Sequence, residues 1–162
     1  MITLVLTRKV HNEYGVFGEL TFRKGQSLYQ YVTVERVQCP ENWLKLTATQ
    51  RVQYCIPAGL YGVKYEYDEN LNLRFNIKGM SSWRNMHFTG SNQKLANTIK
   101  IGTEATDDGY IRNGDEVLME ISEIIEEFVN SDMVPVMPAY GYFEIWIREA
   151  SDYHEGAYEP SL

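Results

Sequence analysis

Three side chains in this sequence are of types that do covalent chemistry: His87, Thr98 and Cys55. Two of them share one segment. It reads Met86-His87-Phe88-Thr89-Gly90-Ser91-Asn92, then Gln93-Lys94-Leu95-Ala96, then Asn97-Thr98-Ile99-Lys100-Ile101-Gly102. A His, a Gly and an Asn are thus followed by a β-branched strand that ends in Gly. In a cysteine acyl-transfer enzyme a thiolate opens such a strand and a His activates it. Here Thr98 stands in that position, and a Thr hydroxyl is a poor nucleophile without a dedicated base. The segment has the layout of a nucleophilic site with the nucleophile replaced.

Each candidate has an ordinary reading beside the functional one. His87, between Met86 and Phe88, is either a general base or a structural His, and the lack of a thiol nearby in sequence favours the second. Cys55, before Ile56-Pro57, is either a partner of His87 or a small buried hydrophobe, and the second is favoured. Cys39, beside Pro40, has only Arg36 as a basic neighbour to lower its pKa. Glu35 and Arg36 read as an ion pair at a strand end. Asp107-Asp108-Gly109 lacks the spaced carboxylates of a calcium loop and reads as a turn. Trp83-Arg84 is either a stacking surface or a loop anchor.

The elements that must position these residues are mostly strands. Alternation and β-branched content mark Ile2-Thr3-Leu4-Val5-Leu6-Thr7, Gly18-Glu19-Leu20-Thr21-Phe22, residues 28–36, residues 60–67 and residues 71–77. Turns are expected over residues 12–18, at Lys24-Gly25-Gln26, at Pro57-Ala58-Gly59 and at Asp68-Glu69-Asn70. Residues 43–49 fit a short loop or a helical turn. Met86-His87-Phe88 and Thr98-Ile99-Lys100-Ile101 are short strands. One helix is expected over 114–130: Asp115 and Glu116 suit the positive end of its dipole, and Val117, Leu118, Ile121, Ile124, Ile125 and Phe128 fall on one face. Glu120, Glu123, Glu126 and Glu127 fall away from it and read as a solvated face. Residues 133–138 are extended because each Pro disfavours helix before it. Tyr142-Phe143-Glu144-Ile145-Trp146-Ile147-Arg148 alternates as a strand, with Glu144 outward. The fold class is therefore β-rich α+β: a single mostly-β domain with one amphipathic helix packed on it, plus a C-terminal strand and an extended arm. Residues 1–130 form the main β-rich unit and 131–162 the C-terminal strand and tail.

Composition excludes several classes. The 162 residues carry a net charge of -7, against the basic face that nucleic-acid binding needs. No apolar run approaches the roughly 20 residues of a membrane span, so neither nucleic acid nor membrane is expected as a partner. The N-terminus reads as a strand and not as a signal peptide. Two cysteines make no disulfide framework, and no cofactor or metal is expected. Tyr is unusually frequent, with 12 copies, which suits half-buried sheet faces and protein interfaces.

The motif order resembles a phage and bacterial family, domain-of-unknown-function family 5675. Thr33-Val34-Glu35 matches its first strand, and Cys55-Ile56-Pro57-Ala58-Gly59-Leu60-Tyr61 is the most specific match. His87, Gly90 and Asn92 answer its His-x-Gly-Asn, and Asn97 to Gly102 answers its Gly-Cys-Ile-x-x-Gly, with Asn97 for Gly and Thr98 for Cys. Residues 111–129 answer its helix. The likeness covers roughly residues 2–130. The family's His and Gly-Cys pattern is similar in turn to that of cell-wall L,D-transpeptidases. The resemblance implies a phage setting and a degenerate wall-enzyme-like fold. The expected function is a virion component (head, neck or tail) acting through protein–protein contacts, made in the host cytoplasm. Its expected partners are other phage structural proteins, with homo-oligomers possible. The alternatives are a peptidoglycan hydrolase or transpeptidase using His87 with Cys55 or Thr98, and a non-catalytic wall-binding module. The tail, with Tyr153, Tyr158 and Pro160 but few aliphatics, is expected to be an assembly arm.

Overall fold

The computed structural model describes residues 2–38, 41–51, 53–67, 69, 73–77, 86–93, 98–129 and 143–150. Among the described residues ten strands and two α-helices follow one another: β1 (Ile2–Asn12), β2 (Gly15–Lys24), β3 (Ser27–Glu35), α1 (Ala48–Arg51), β4 (Gly59–Tyr67), β5 (Leu73–Ile77), β6 (His87–Thr89), β7 (Thr98–Gly102), β8 (Glu104–Ala105), β9 (Ile111–Arg112), α2 (Gly114–Val129) and β10 (Phe143–Glu149). A 3-10 turn at Trp43–Lys45 precedes α1. The expected β-rich domain with one long amphipathic helix is what forms.

Eight strands close into a barrel in the order β1-β10-β4-β5-β6-β7-β3-β2. Closure gives each of these eight strands two neighbours in the barrel, and β8 and β9 form a separate two-stranded sheet. Two of its contacts are parallel, β1 with β10 and β6 with β7. The others are antiparallel. The C-terminal strand β10 lies between β1 and β4 and is a full member of the barrel, with Ile145 and Ile147 buried.

Period-two alternation explains which side chains enter the barrel. Leu4 and Leu6 of β1, Leu20 and Phe22 of β2, and Ile99 and Ile101 of β7 point in and are buried. Val117, Leu118, Ile121, Ile124 and Ile125 of α2 join the same cluster, so the expected docking face is the one in use. The side chain of Phe128 lies outside the described residues. Two of the helix glutamates are also tied down: Glu120 accepts from Tyr31 Oη at 2.7 Å, and Glu127 meets Lys24 Nζ at 2.6 Å.

Several boundaries differ from the sequence reading, each for a local reason. The first turn is only Glu13 and Tyr14, because β1 and β2 keep pairing through a bulge between Arg8 and Val10. The Asn12 side chain then closes the turn by accepting from Tyr14 N at 2.8 Å. Residues 111 and 112, which the family resemblance places in its helix, form β9 against β8, and α2 begins at Gly114 as the sequence pattern expects. Cys39, Trp83-Arg84, Asp68-Glu69-Asn70 as a whole, residues 133–138 and the tail 151–162 lie outside the described residues.

Ile121 is fully buried in the core while Glu123 is exposed. Ile121→Ala is expected to cost about 2–5 kcal/mol and Glu123→Ala under about 0.5 kcal/mol, measured by urea unfolding. Equal costs would mean that α2 docks through another face.

Candidate functional site

The structure brings His87 and Thr98 together. They are Cα partners across the parallel contact of β6 and β7. Phe88 and Ile99 are buried in the core, so alternation sends His87, Thr89, Thr98 and Lys100 to the outer face of the barrel. Thr98 is 8% exposed there. The site segment therefore sets His87 and Thr98 on adjacent strands, with a hydroxyl at position 98.

The Gly and Asn of the same segment hold the framework. An added Cβ on Gly90 would lie 2.4 Å from the carbonyl carbon of Gly114, and one on Gly114 would lie 2.4 Å from Gly90 O. The loop after β6 and the first turn of α2 touch backbone to backbone, which only glycine allows. Asn92 accepts from Ile111 N at 2.8 Å and donates Nδ2 to Ile111 O at 3.1 Å. Its amide binds both backbone groups of Ile111, which also pairs with Ala105 of β8, and so anchors β9 before the helix begins.

Thr98 also lines a cleft of ≈ 190 Å³ on this outer face. Lys100 stands beside it, Tyr14 comes from the β1–β2 turn, and Arg36, Gln53 and Gln93 come from loops. Lys100 Nζ donates to Gly109 O at 3.1 Å. Gly109 belongs to the Thr106–Tyr110 turn, where Gly109 N donates to Thr106 O at 3.0 Å. The Asp107-Asp108-Gly109 sequence is thus a turn. A hydrogen bond from Thr106 Oγ1 holds the Asp108 carboxyl below its ordinary value. No group of three or more His, Cys, Asp or Glu side chains suited to a metal occurs among the described residues.

Cys55 sits behind the cleft. Its N–H donates to the carbonyl of Val37, which lines the cleft, and its side chain is buried at 4% exposure. Its electrostatic neighbours include Arg8 and Tyr61. Sequence reasoning missed this ionic cluster and paired Glu35 with Arg36. Glu35 is bound instead to Arg8, because both point into the barrel, where a carboxylate needs a partner. Arg8 Nε and Nη2 donate to the two oxygens of Glu35 at 2.9 Å each, and Nη2 also donates to Ile56 O at 2.6 Å. Both residues are nearly closed to solvent, at 3% and 4% exposure. Glu149 approaches Arg8 at 3.7 Å and meets His11 Nε2 at 2.6 Å. The available signal was phase: Arg8 follows Leu4 and Leu6 on the inward side of β1.

Burial works against the Arg8 charge, but the field and hydrogen bonds of Glu35, with help from Cys55 and Glu149, hold the guanidinium above its ordinary value. Burial pushes the Tyr61 phenol up to about 12, against the opposing pull of Arg8. Its hydroxyl donates to Pro57 O at 2.5 Å.

No family model, curated protein or solved structure matches this chain.

Two predictions follow from the cluster. Glu35→Ala leaves the Arg8 charge buried and uncompensated and is expected to cost about 3–5 kcal/mol. Glu19→Ala, which removes the exposed pair with Lys9, should cost under about 1 kcal/mol. Urea melts compare the two, and similar costs would deny the buried pair its role. For Tyr61, the folded-state pKa lies above the ordinary 10.0. The stability it contributes is complete below that value and is lost as the pH rises through about 12. The melting temperature should therefore fall over that window, less steeply in Tyr61→Phe. Tyr31, raised by burial and by Glu120, accounts for part of the remaining fall. Identical slopes in the two proteins would reject the assignment.

Proposed function

We propose that this chain is a phage accessory protein, carried in the particle, that works by contact and not by bond cleavage. The observation that carries the reading is Thr98 beside His87. The two residues are partners on neighbouring strands, and the position that the resemblance gives to a Cys nucleophile holds a hydroxyl. A Cys thiol is already a few per cent thiolate at neutral pH, whereas a Thr hydroxyl needs a base matched to a far higher pKa. Gly90 and Asn92 keep the scaffold without needing any reaction. The phage setting rests on the resemblance of the Cys55 to Tyr61 and His87 to Gly102 segments to family 5675.

The partners in this reading are other structural proteins of the particle or further copies of this chain, and not nucleic acid or membrane. The acidic balance of the chain supports the first exclusion. No helix among the described residues is long and apolar enough to cross a membrane. Exposed Val10, Tyr14, Leu44, Leu60 and Tyr110 offer anchors of the kind that fill pockets on a partner.

A second reading, a non-catalytic module for cell-wall material, is favoured by the cleft beside Thr98, which a purely architectural protein has no need to keep.

Purified protein incubated with peptidoglycan is expected to release no new muropeptides, and mass spectrometry of purified particles should find the chain among their components. Turnover that disappears in His87→Ala would overturn the non-catalytic reading and favour a hydrolase or transpeptidase. Absence from particles would remove the virion role and leave the wall-binding module.

A further inference from the structure

The geometry points to the edge of β3 at Ser27–Tyr31 as an interface, where a second copy of this chain pairs strand to strand about a two-fold axis. The inference rests on the reading that the chain works by contact with further copies, and it names the surface. β3 is matched by β2 along its whole length, from Lys24 with Ser27 to Val16 with Glu35. On its other side β7 matches only Val32, Thr33 and Val34. Among the described residues no strand pairs with that side of Ser27–Tyr31. The helix contact at this end, from Tyr31 Oη to Glu120, is made by a buried side chain and not by the backbone edge.

The turn fixes which backbone groups face outward. Gly25 and Gln26 are the loop residues of the β2–β3 hairpin. Gly25 has φ 62°, the left-handed value that a type II′ turn asks of its first residue. In such a hairpin the residues flanking the loop, here Lys24 and Ser27, exchange hydrogen bonds. Alternation then aims the N–H and C=O of Ser27, Tyr29 and Tyr31 at β2, and those of Leu28 and Gln30 at the open edge. The same phase carries Val32 and Val34 toward β7, where they are matched with Gly102 and Lys100.

This edge lacks the usual guards. Strand edges are protected by charge, proline or a bulge. The stretch of β1 beyond its last match with β10 has two of these, Lys9 and the bulge between Arg8 and Val10. Ser27-Leu28-Tyr29-Gln30-Tyr31 has no charge and no proline, and its register with β2 runs without a shift. A second copy fits because the segment is its own complement. With Tyr29 on the two-fold axis, Leu28 of one copy faces Gln30 of the other, so every outward N–H and C=O meets a counterpart. Ser27 faces Tyr31, a small side chain against a large one. The two Leu28 side chains, each 47% exposed, lie diagonally across the axis. No like charges are opposed, although the chain carries a net charge of -7. A two-fold contact closes on itself as a dimer. It spans only Ser27–Tyr31, well short of a standard interface, so the dimer is weak and concentration-dependent.

Sedimentation equilibrium of the full chain, run up to about 1 mM, where weak specific contacts register, tests this together with amide exchange followed by NMR. A monomer–dimer equilibrium is expected. Where dimer predominates, the amides of Leu28 and Gln30 should exchange at least about tenfold more slowly than in the monomer, while that of Tyr29, already bonded to β2, keeps its rate. Gln30→Pro removes one outward N–H and spares the β2 ladder, and Leu28→Lys sets two like charges across the axis. Each should weaken the dimer about tenfold or more. Leu44→Lys, in the 3-10 turn at a site 70% exposed, should leave it unchanged. The inference is overturned if the chain stays monomeric, if the Leu28 and Gln30 amides exchange in the dimer as in the monomer, if assembly grows beyond the dimer, or if both edge variants dimerise like the parent. The amide measurement uses the parent chain, so it decides even if Gln30→Pro fails to fold. Each of those outcomes leaves the non-catalytic reading standing, because muropeptide release and particle composition decide that separately.

Discussion

One guanidinium holds the mouth of the barrel together. Arg8 of β1 reaches Glu35 at the end of β3, the carbonyl of Ile56 just before β4, and Glu149 at the end of β10. These points are far apart in sequence and converge only if the sheet closes. Arginine suits the task because its donors form a rigid planar fork, so one placement of the strand ends satisfies all of them. A buried ion pair is not in itself a large gain over well-packed apolar groups. Its force lies in the penalty for any arrangement that buries the charge without its partners.

The closed barrel then decides what lies inside and what lies outside. With Ile99, Ile101 and Phe88 committed to the core, the alternate residues of β6 and β7 have no choice but the outer face. His87 and Thr98 become neighbours for that reason, and Thr98 and Lys100 become cleft lining. The helix obeys the same logic at closer range. It can dock its apolar face on β6 and β7 only because Gly90 and Gly114 let the two backbones touch. Those two glycines connect the site loop to the packing of the whole domain.

Two polar regions emerge, one inside the barrel and one outside it. Inward lies the satisfied ionic cluster of Arg8, Glu35, Glu149 and His11, with Tyr61 and Cys55 beside it. Outward lies the cleft of Tyr14, Arg36, Lys100 and Thr98. The first is arranged for stability, since its hydrogen bonds are made within the chain. In the second, Tyr14 is exposed at the rim while Lys100 is held by Gly109 O and Thr98 is buried.

Local pattern determined a good deal of this protein. Alternation in residues 2–7, 60–67 and 143–148 and the apolar stripe of α2 dictate strands and helix wherever they are placed, because a pleated strand and a 3.6-residue helix each bury one face. The order of His87, Gly90, Asn92 and Thr98 along the segment is likewise a property of the chain alone. Tertiary structure decided the rest. Closure into a barrel, the insertion of β10 between β1 and β4, and the match of Arg8 with Glu35 all depend on contacts between residues distant in sequence, for which a strand's alternation carries no partner information. The cleft belongs to the same class: Tyr14, Arg36, Gln53 and Lys100 come from separate elements. Each looks like an ordinary surface residue until the sheet curls and brings them to one place.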